Sequence, residues 1–430
     1  MREFLQFIND FVYLYPLFMS FVWIVGGLIF YHRIERKQNT PPPLKEYPLF
    51  SILIPCHDEE EQIEKTITNL MELDYPNYEI IPIDDGSTDS TASILHELSK
   101  NHERVRAVYL RENQGKGAAL NVGCLAVKGD FILTIDADAF LDPKALKWFA
   151  WHFNMFPRVG AITGNPRVLN RTSLLAKIQT GEYASIIGLI KRTQRILGKV
   201  LTVSGVIAAF RKQALLSVGL WDKDMVTEDI DITWKLEKHF WDVRYEPRAV
   251  CWVLVPETLK GLWRQRLRWA QGGIEVLKKH HDIWQNWKQR RLWPVYVEYV
   301  FSTFWAYSFW GLIAMWIVQE IFNLILPVRL RPPIPPQWTG SILALTCVFQ
   351  FAVSMYVDNV YEKKFFRYLF WVIWYPFVYW MINALTVVVA VPKALLKKKG
   401  TKAIWASPDR GLDTIKGVFQ KRHARDKDYR

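Results

Sequence analysis

The chain has 430 residues, of which 50% are hydrophobic, 15% aromatic and 23% charged. So much charge excludes a protein made of membrane spans throughout, while the aromatic share is high for a purely soluble enzyme; a chain part soluble and part membrane-embedded fits both. The formal net charge is +13, and the segment after Val391 alone holds twelve Lys/Arg against four Asp/Glu, an excess that beside apolar spans reads as contact with anionic lipid headgroups and not with nucleic acid.

In chain order, Phe11 to Tyr31 comes first: 21 residues without a charge, about 31 Å of helix and enough to cross a bilayer. His32-Arg33-Ile34-Glu35-Arg36-Lys37 follows, and its basic residues place that end in the cytoplasm. The run is too long for the apolar core of a cleavable signal peptide and lacks a small-residue cleavage site. Pro41-Pro42-Pro43 reads as a stiff linker.

From about Tyr47 to Pro256, apolar strands alternate with amphipathic helices. Strands are expected at Phe50–Pro55, Tyr78–Ile83, Val105–Leu110 and Phe131–Ile135, and helices at Glu59–Leu73, Ser90–Lys100 and Lys116–Val127. This order implies an α/β domain with a mostly parallel sheet covered by helices. Cys56, Cys124, Cys251 and Cys347 form no C-x-x-C pair and suit no zinc site; they read as reduced thiols of a cytosolic part.

Pro256 to Pro294 is dense in Trp, Arg and Lys, and reads as amphipathic helices in the membrane interface, with Trp263, Trp269, Trp284, Trp287 and Trp293 as anchors. Three more charge-free stretches follow, Tyr299–Gln319, Gln337–Val357 and Tyr368–Val391, with a kink expected at Pro376. The expected partition is 1–46 span and linker, 47–255 cytosolic α/β domain, 256–294 interfacial helices, 295–392 membrane helices and 393–430 basic tail. It contains a conflict. An outside N-terminus and four crossings put the basic tail outside, against the positive-inside tendency, unless one stretch re-enters.

Chemistry-bearing residues fall in the α/β region. Ile54-Pro55-Cys56-His57-Asp58-Glu59-Glu60 closes the first strand, and Ile83-Asp84-Asp85-Gly86-Ser87-Thr88-Asp89 closes the second. Acids in such turns can hold a base or ribose, and Gly86 permits close backbone approach; the alternative is a plain β-turn with a helix cap. Asn113-Gln114-Gly115-Lys116-Gly117 offers backbone N–H groups and a cation to a phosphate, without P-loop spacing. Asp136-Ala137-Asp138 presents two carboxylates at a strand end, where Mg²⁺ is held through one or two carboxylates plus substrate phosphates. Thr227-Glu228-Asp229 opens a helix, and Gln265-Arg266-Leu267-Arg268-Trp269 lies in the interfacial segment; a helix cap and a snorkelling basic face are the ordinary alternatives.

Each cluster alone is weak, but the ordered set resembles the family 2 glycosyltransferases in their processive, membrane-bound branch, and within it the bacterial synthases of β-1,6-linked poly-N-acetylglucosamine. Ser204-Gly205-Val206, Trp305 and Trp405-Ala406-Ser407-Pro408-Asp409-Arg410-Gly411 extend the likeness over nearly the whole chain. The resemblance implies a GT-A (Rossmann-like) catalytic domain plus transmembrane helices, in the bacterial inner (cytoplasmic) membrane with that domain cytoplasmic. It implies UDP-GlcNAc as donor, a growing polysaccharide as acceptor and Mg²⁺ (or Mn²⁺) as cofactor. It further implies membrane lipids as surroundings, a small membrane partner subunit, and cyclic di-GMP at the partner interface.

Residue by residue, Pro55, His57, Glu59, Asp84 and Asp85 would line the nucleotide pocket, with Lys116 near it or the pyrophosphate. Asp136 and Asp138 would meet the sugar nucleotide and the metal. Asp229 would be the general base, with Glu228 beside it and Asp138 completing the catalytic set. Ser204 and Gly205 would shape the sugar pocket, and Gln265, Arg268 and Trp269 would close over pyrophosphate and acceptor. Competing expectations are a synthase of another β-glycan (cellulose, chitin or hyaluronan type), a non-processive lipid-phosphate glycosyltransferase, and a transporter with a regulatory domain.

Overall fold

The computed structural model describes residues 2–322, 332–398 and 400–401. Residues 402–430, which hold most of the expected basic tail and the Trp405–Gly411 motif, lie outside the described residues.

The first helix, α1 (Arg2–Phe30), ends in a π-helical turn at Tyr31–Glu35. The α/β domain then runs β1 (Phe50–Cys56), α2 (Ile63–Met71), β2 (Tyr78–Asp85), α3 (Thr91–Asn101), β3 (Val108–Leu110), α4 (Lys116–Ala126) and β4 (Phe131–Ile135). β5 (Phe140–Leu141), α5 (Ala145–Met155) and β6 (Val159–Val168) follow. α6 (Leu174–Glu182) passes through a π-helical turn at Tyr183–Leu189 into α7 (Ile190–Leu197). The domain closes with β7 (Ile207–Arg211), α8 (Lys212–Ser217), α9 (Glu228–Lys238) and β8 (Asp242–Val253).

The eight strands form one sheet in the order β3-β2-β1-β4-β7-β6-β8-β5. β1 pairs in parallel with β2 and β4, β2 with β3, and β6 with β8, while β7 runs antiparallel between β4 and β6. Both faces are covered. Ile52 and Ile54 point into one apolar cluster and Leu53 into another, which is why these strands read as unbroken apolar runs.

Two expected boundaries shift for a local reason. The helix expected from Glu59 starts at Ile63, because side chains of the neighbouring loop take the preceding N–H groups: Glu59 N–H donates to Thr91 Oγ1 (2.8 Å) and Glu60 N–H to Asp89 Oδ2 (3.1 Å). The strand expected from Val105 starts at Val108, with Val105 making only an isolated bridge to Ile80.

After the domain come α10 (Leu259–Lys279), α11 (Trp293–Phe322), α12 (Trp338–Asp358), the short α13 (Leu369–Val372) and α14 (Trp380–Leu396). Among the described residues, four segments are long and apolar enough to cross a membrane: Arg2–Glu35, Trp293–Phe322, Trp338–Asp358 and Tyr375–Leu396. Pro376 sits in a π-helical turn, Tyr375–Tyr379, between α13 and α14, so the last apolar stretch is broken where Pro cannot donate its N–H. α1, α11 and α14 share an apolar cluster around Val12, Trp305 and Phe309, and Trp305 Nε1 donates to Val12 O (2.9 Å).

Candidate active site

β1, β2 and β4 run parallel, so the loops after them share one edge of the sheet, where open α/β sheets bind ligands. Asp58 Oδ1 accepts from Thr88 N–H (2.8 Å), and Asp58 N–H donates to Ser87 Oγ (3.0 Å); these bonds tie the first loop to the second. Pro55 lies in buried β1 and Glu59 is buried behind it. His57 Nδ1 is buried with no hydrogen-bond partner among the described residues.

The two acids after β2 divide their work. Asp84 Oδ1 accepts from Ser87 N–H (3.2 Å) and shapes its own turn. Asp85 is fully buried and accepts from Gln114 N–H and Gly115 N–H, both at 2.8 Å. Burial pushes the Asp85 carboxyl above its usual range, and those two N–H bonds work against the rise. Gly86 has φ +65°, and a Cβ there would lie 2.7 Å from the Glu112 backbone. The close approach this glycine allows is therefore to the chain's own 112–115 loop.

That loop delivers Lys116. Its Nζ lies 2.6 Å from Asp136 Oδ1 and 3.1 Å from Glu228 Oε1. Burial by itself would lower the ammonium, but Asp136 and then Glu228 outweigh it and hold it well above the usual lysine range. Glu228 and Asp229 open α9, where the helix dipole favours acids. Asp229 Oδ2 accepts from Gly205 N–H (3.1 Å), and Oδ1 accepts from Ile230 N–H (2.9 Å). A Cβ on Gly205 would meet both Asp229 Oδ2 and Lys116 Nζ at 3.2 Å, so a glycine keeps the gap between carboxylate and ammonium. Burial, then the like charge of Glu228, pushes the Asp229 carboxyl up to about 6, against the pull of Lys116.

Asp138 is buried two residues beyond Asp136. Ala137 and Ala139, its neighbours, belong to the apolar cluster against which Trp269 of α10 packs. On the same helix Gln265 Oε1 is buried without a partner, and Arg268 is exposed with no ion pair among the described residues. The arginine between them, Arg266, is the buried one. Its Nη2 donates to Glu182 Oε2 (2.6 Å) and to Tyr379 Oη (3.0 Å), and its guanidinium stacks 4.2 Å over Trp269. Arg266 thus fastens α10 to α6 and to the last apolar segment, and leaves Arg268 available.

Lys116, Asp136, Gly205, Glu228 and Asp229 therefore converge, and Asp85 joins them through the 112–115 loop, while Asp84 bonds within its own turn. No hydrogen bond among the described residues links His57, Gln265 or Arg268 to these acids. Ser204 N–H donates to Thr163 Oγ1 (2.8 Å), and Ser204 Oγ accepts from Lys191 Nζ (2.5 Å). Sequence reasoning missed Lys191 and Arg266. Ile-Lys-Arg-Thr-Gln-Arg-Ile-Leu reads as an exposed amphipathic helix, and no local signal marks its lysine as buried.

No group of three or more His, Cys, Asp or Glu is arranged for a metal among the described residues. The two carboxylates at the end of β4 nevertheless fit a hard dication whose remaining ligands are substrate phosphates and water. Both are oxygen donors, and only one oxygen of Asp136 is engaged by Lys116.

Comparison with known proteins places this geometry. Residues 48–272 match the family model described as "Glycosyltransferase like family 2". The chain is 42% identical over 418 residues to the poly-beta-1,6-N-acetyl-D-glucosamine synthase of Staphylococcus epidermidis, covering 94% of this chain and 98% of the relative. It is 43% identical over 414 residues to the synthase of the same name from Staphylococcus aureus (strain COL), covering 95% and 99%. The mannosyltransferase PcManGT from Pyrobaculum calidifontis, solved in complex with GDP-Man and Mn2+, superposes with a TM-score of 0.62 at 20% identity, over 90% of this chain and 99% of that one, and shares the GT-A-like fold. With a matching family model over half its length and close relatives over nearly all of it, this chain belongs to glycosyltransferase family 2 and is a glycosyltransferase.

Proposed function

We propose that the chain polymerises N-acetylglucosamine from UDP-GlcNAc into a β-1,6-linked polysaccharide at the cytoplasmic face of the bacterial inner membrane. The convergence of Asp136, Glu228 and Asp229 on Lys116, beside the Ser204–Gly205 turn, is the observation that carries the reading. The names of the two staphylococcal relatives supply the sugar and the linkage.

The chemistry follows from the residues. The acceptor hydroxyl is a poor nucleophile and needs a carboxylate to take its proton as it attacks. Asp229 is that base, poised near neutrality by burial and by Glu228. The hydroxyl oxygen bonds to the anomeric carbon as the bond to the UDP oxygen breaks, and the proton passes to Asp229. A single displacement inverts an α-donor to a β-linkage. Asp136 and Asp138 would hold Mg²⁺ (or Mn²⁺), which would neutralise charge developing on the departing diphosphate. Arg268, exposed on α10 and free of ion pairs among the described residues, would meet the same charge. Trp269 presents an aromatic face to the acceptor sugar, and the apolar helices provide the export path for a processive enzyme. A small membrane partner subunit, with cyclic di-GMP at the shared interface where that control operates, completes the reading; full activity of the purified chain alone would remove both.

The test is UDP release by the membrane-reconstituted chain offered a panel of UDP-sugars, with Mg²⁺ and with chelator, followed by digestion of the product with linkage-specific glycosidases. UDP-GlcNAc with Mg²⁺ should dominate and give a β-1,6-cleavable polymer. Preference for another UDP-sugar, or short lipid-linked products, would overturn the proposal.

A further inference from the structure

α7 presents two neighbouring cations in different directions. Arg192 Nε and Nη2 pair with Glu35 (2.7 and 2.8 Å), and Nη2 also pairs with Asp358 (2.8 Å), fixing the helix against the ends of α1 and α12. Lys191, 5% exposed, turns instead toward the active site. Its Nζ donates to Ser204 Oγ at 2.5 Å and lies 3.5 Å from Thr163 Oγ1, and no carboxylate is within ion-pair distance among the described residues. An amine buried on two hydroxyls is an expensive way to fill space. Burial draws its pKa down to about 7, with Asp229 pulling it back up. The π-helical turn at Tyr183–Leu189 ends at the residue before α7 and sets the phase at which Lys191 faces inward; such turns recur at functional sites.

The next links are already in place. Ser204 N–H is held by Thr163, Ser204 Oγ by Lys191, and the adjacent Gly205 N–H donates to Asp229 Oδ2 at 3.1 Å. We infer that Lys191 is a positioning residue for glycosyl transfer: through Ser204 it fixes the Ser204–Gly205 turn, and that turn aims the carboxylate of Asp229. The inference rests on the proposal that Asp229 is the general base. Lys191 acts through the turn and not on the donor, so its loss should appear in turnover and spare donor binding.

The experiment measures kcat, the KM for UDP-GlcNAc and thermal unfolding of the full-length chain in membranes for Lys191→Met, Lys191→Gln, Ser204→Ala, the Lys191→Met/Ser204→Ala double variant and Asp229→Asn. Loss of one orienting hydrogen bond predicts a fall in kcat of about tenfold for Lys191→Met, with KM within about twofold and unfolding little changed. Lys191→Gln, which still donates to Ser204, should recover most of that loss, and the double variant should be no slower than the worse single one, because both remove one contact. The inference is overturned by Lys191→Met turning over within twofold of the parent, by losses that multiply in the double variant, or by a rise in KM with kcat retained. Should Lys191→Met fail to fold, Ser204→Ala decides: a drop in kcat at constant KM supports the positioning role, and a parental kcat removes it. Asp229→Asn separates the two levels. Full activity there defeats the base assignment itself, whereas an inactive Asp229→Asn beside a normal Lys191→Met defeats only the role of Lys191.

Discussion

Two ion clusters in this molecule, one largely buried and one half-buried, differ in charge balance. At the seam between the α/β domain and the apolar helices, Arg167, Arg171 and Arg192 meet Glu35, Asp358 and Glu362, three cations against three acids. Arg192 lies 2.7 Å from Glu35 and 2.8 Å from Asp358, Arg167 lies 2.9 Å from Asp358 and 3.3 Å from Glu362, and Arg171 pairs with Glu362. At the sheet edge, Asp136, Glu228 and Asp229 crowd around the ammonium of Lys116. The balanced cluster satisfies itself and fastens parts together. The unbalanced one holds excess negative charge in a half-buried place, the arrangement expected of a site that receives a proton or a cation.

The same substitution should therefore act oppositely in the two places. Asp229→Asn is the most severe for chemistry: UDP release should fall about 10³-fold, within the range for loss of a positioned general base. Asp358→Asn should instead destabilise by about 3–5 kcal/mol, as expected when one partner of a buried ion pair is removed, and read as a lower unfolding temperature. Its kcat per folded molecule should stay within a few-fold of the parent. A seam variant that folds normally but loses turnover would break the distinction.

A pH titration sharpens it. As the proposed base, Asp229 must be ionised to accept a proton, and burial, then Glu228, pushes its carboxyl up to about 6. Turnover should therefore fall below pH 6, about tenfold between pH 7 and pH 5, and Asp358→Asn should leave that limb in place. The smallest effect concerns stability. Because the folded state raises the pKa of Asp229 from 3.8, the stabilisation linked to its protonated form is full below about pH 4 and lost as pH rises through 6. Asp229→Asn should thus unfold at a higher temperature than the parent at pH 8, a gain that shrinks toward pH 4.

The contrast also explains what could be read from the chain before folding. The β1–β4 half was legible because doubly covered parallel strands are plain apolar runs and each ends in a turn with a clear acid or glycine signature. The β6–β8 half was not. β6 carries two glycines, Asn165 and the buried Arg167, and β8 carries Glu246 and Arg248, a buried pair with His152 beside it. Buried charge hides from periodicity when its partner lies far away in sequence. The same holds for α7, whose Lys191, Arg192, Thr193 and Gln194 are all buried. Among the candidate site residues, Asp136, Asp138, Glu228 and Asp229 were each singled out by their motifs. That Lys116 would spend its charge on Asp136 and Glu228, and Asp85 its oxygens on the 113–115 backbone, depended on loop geometry that residue spacing does not encode.

The most direct test of the unbalanced cluster as the nucleotide-sugar site is calorimetric titration of UDP into the full-length chain, with and without Mg²⁺, in the parent and in Asp138→Asn. The parent should bind UDP more tightly with Mg²⁺ than without it, because a dication would be shared between a carboxylate and the diphosphate, and Asp138→Asn should lose that increment. Equal Mg²⁺-dependent tightening in both proteins would contradict the account.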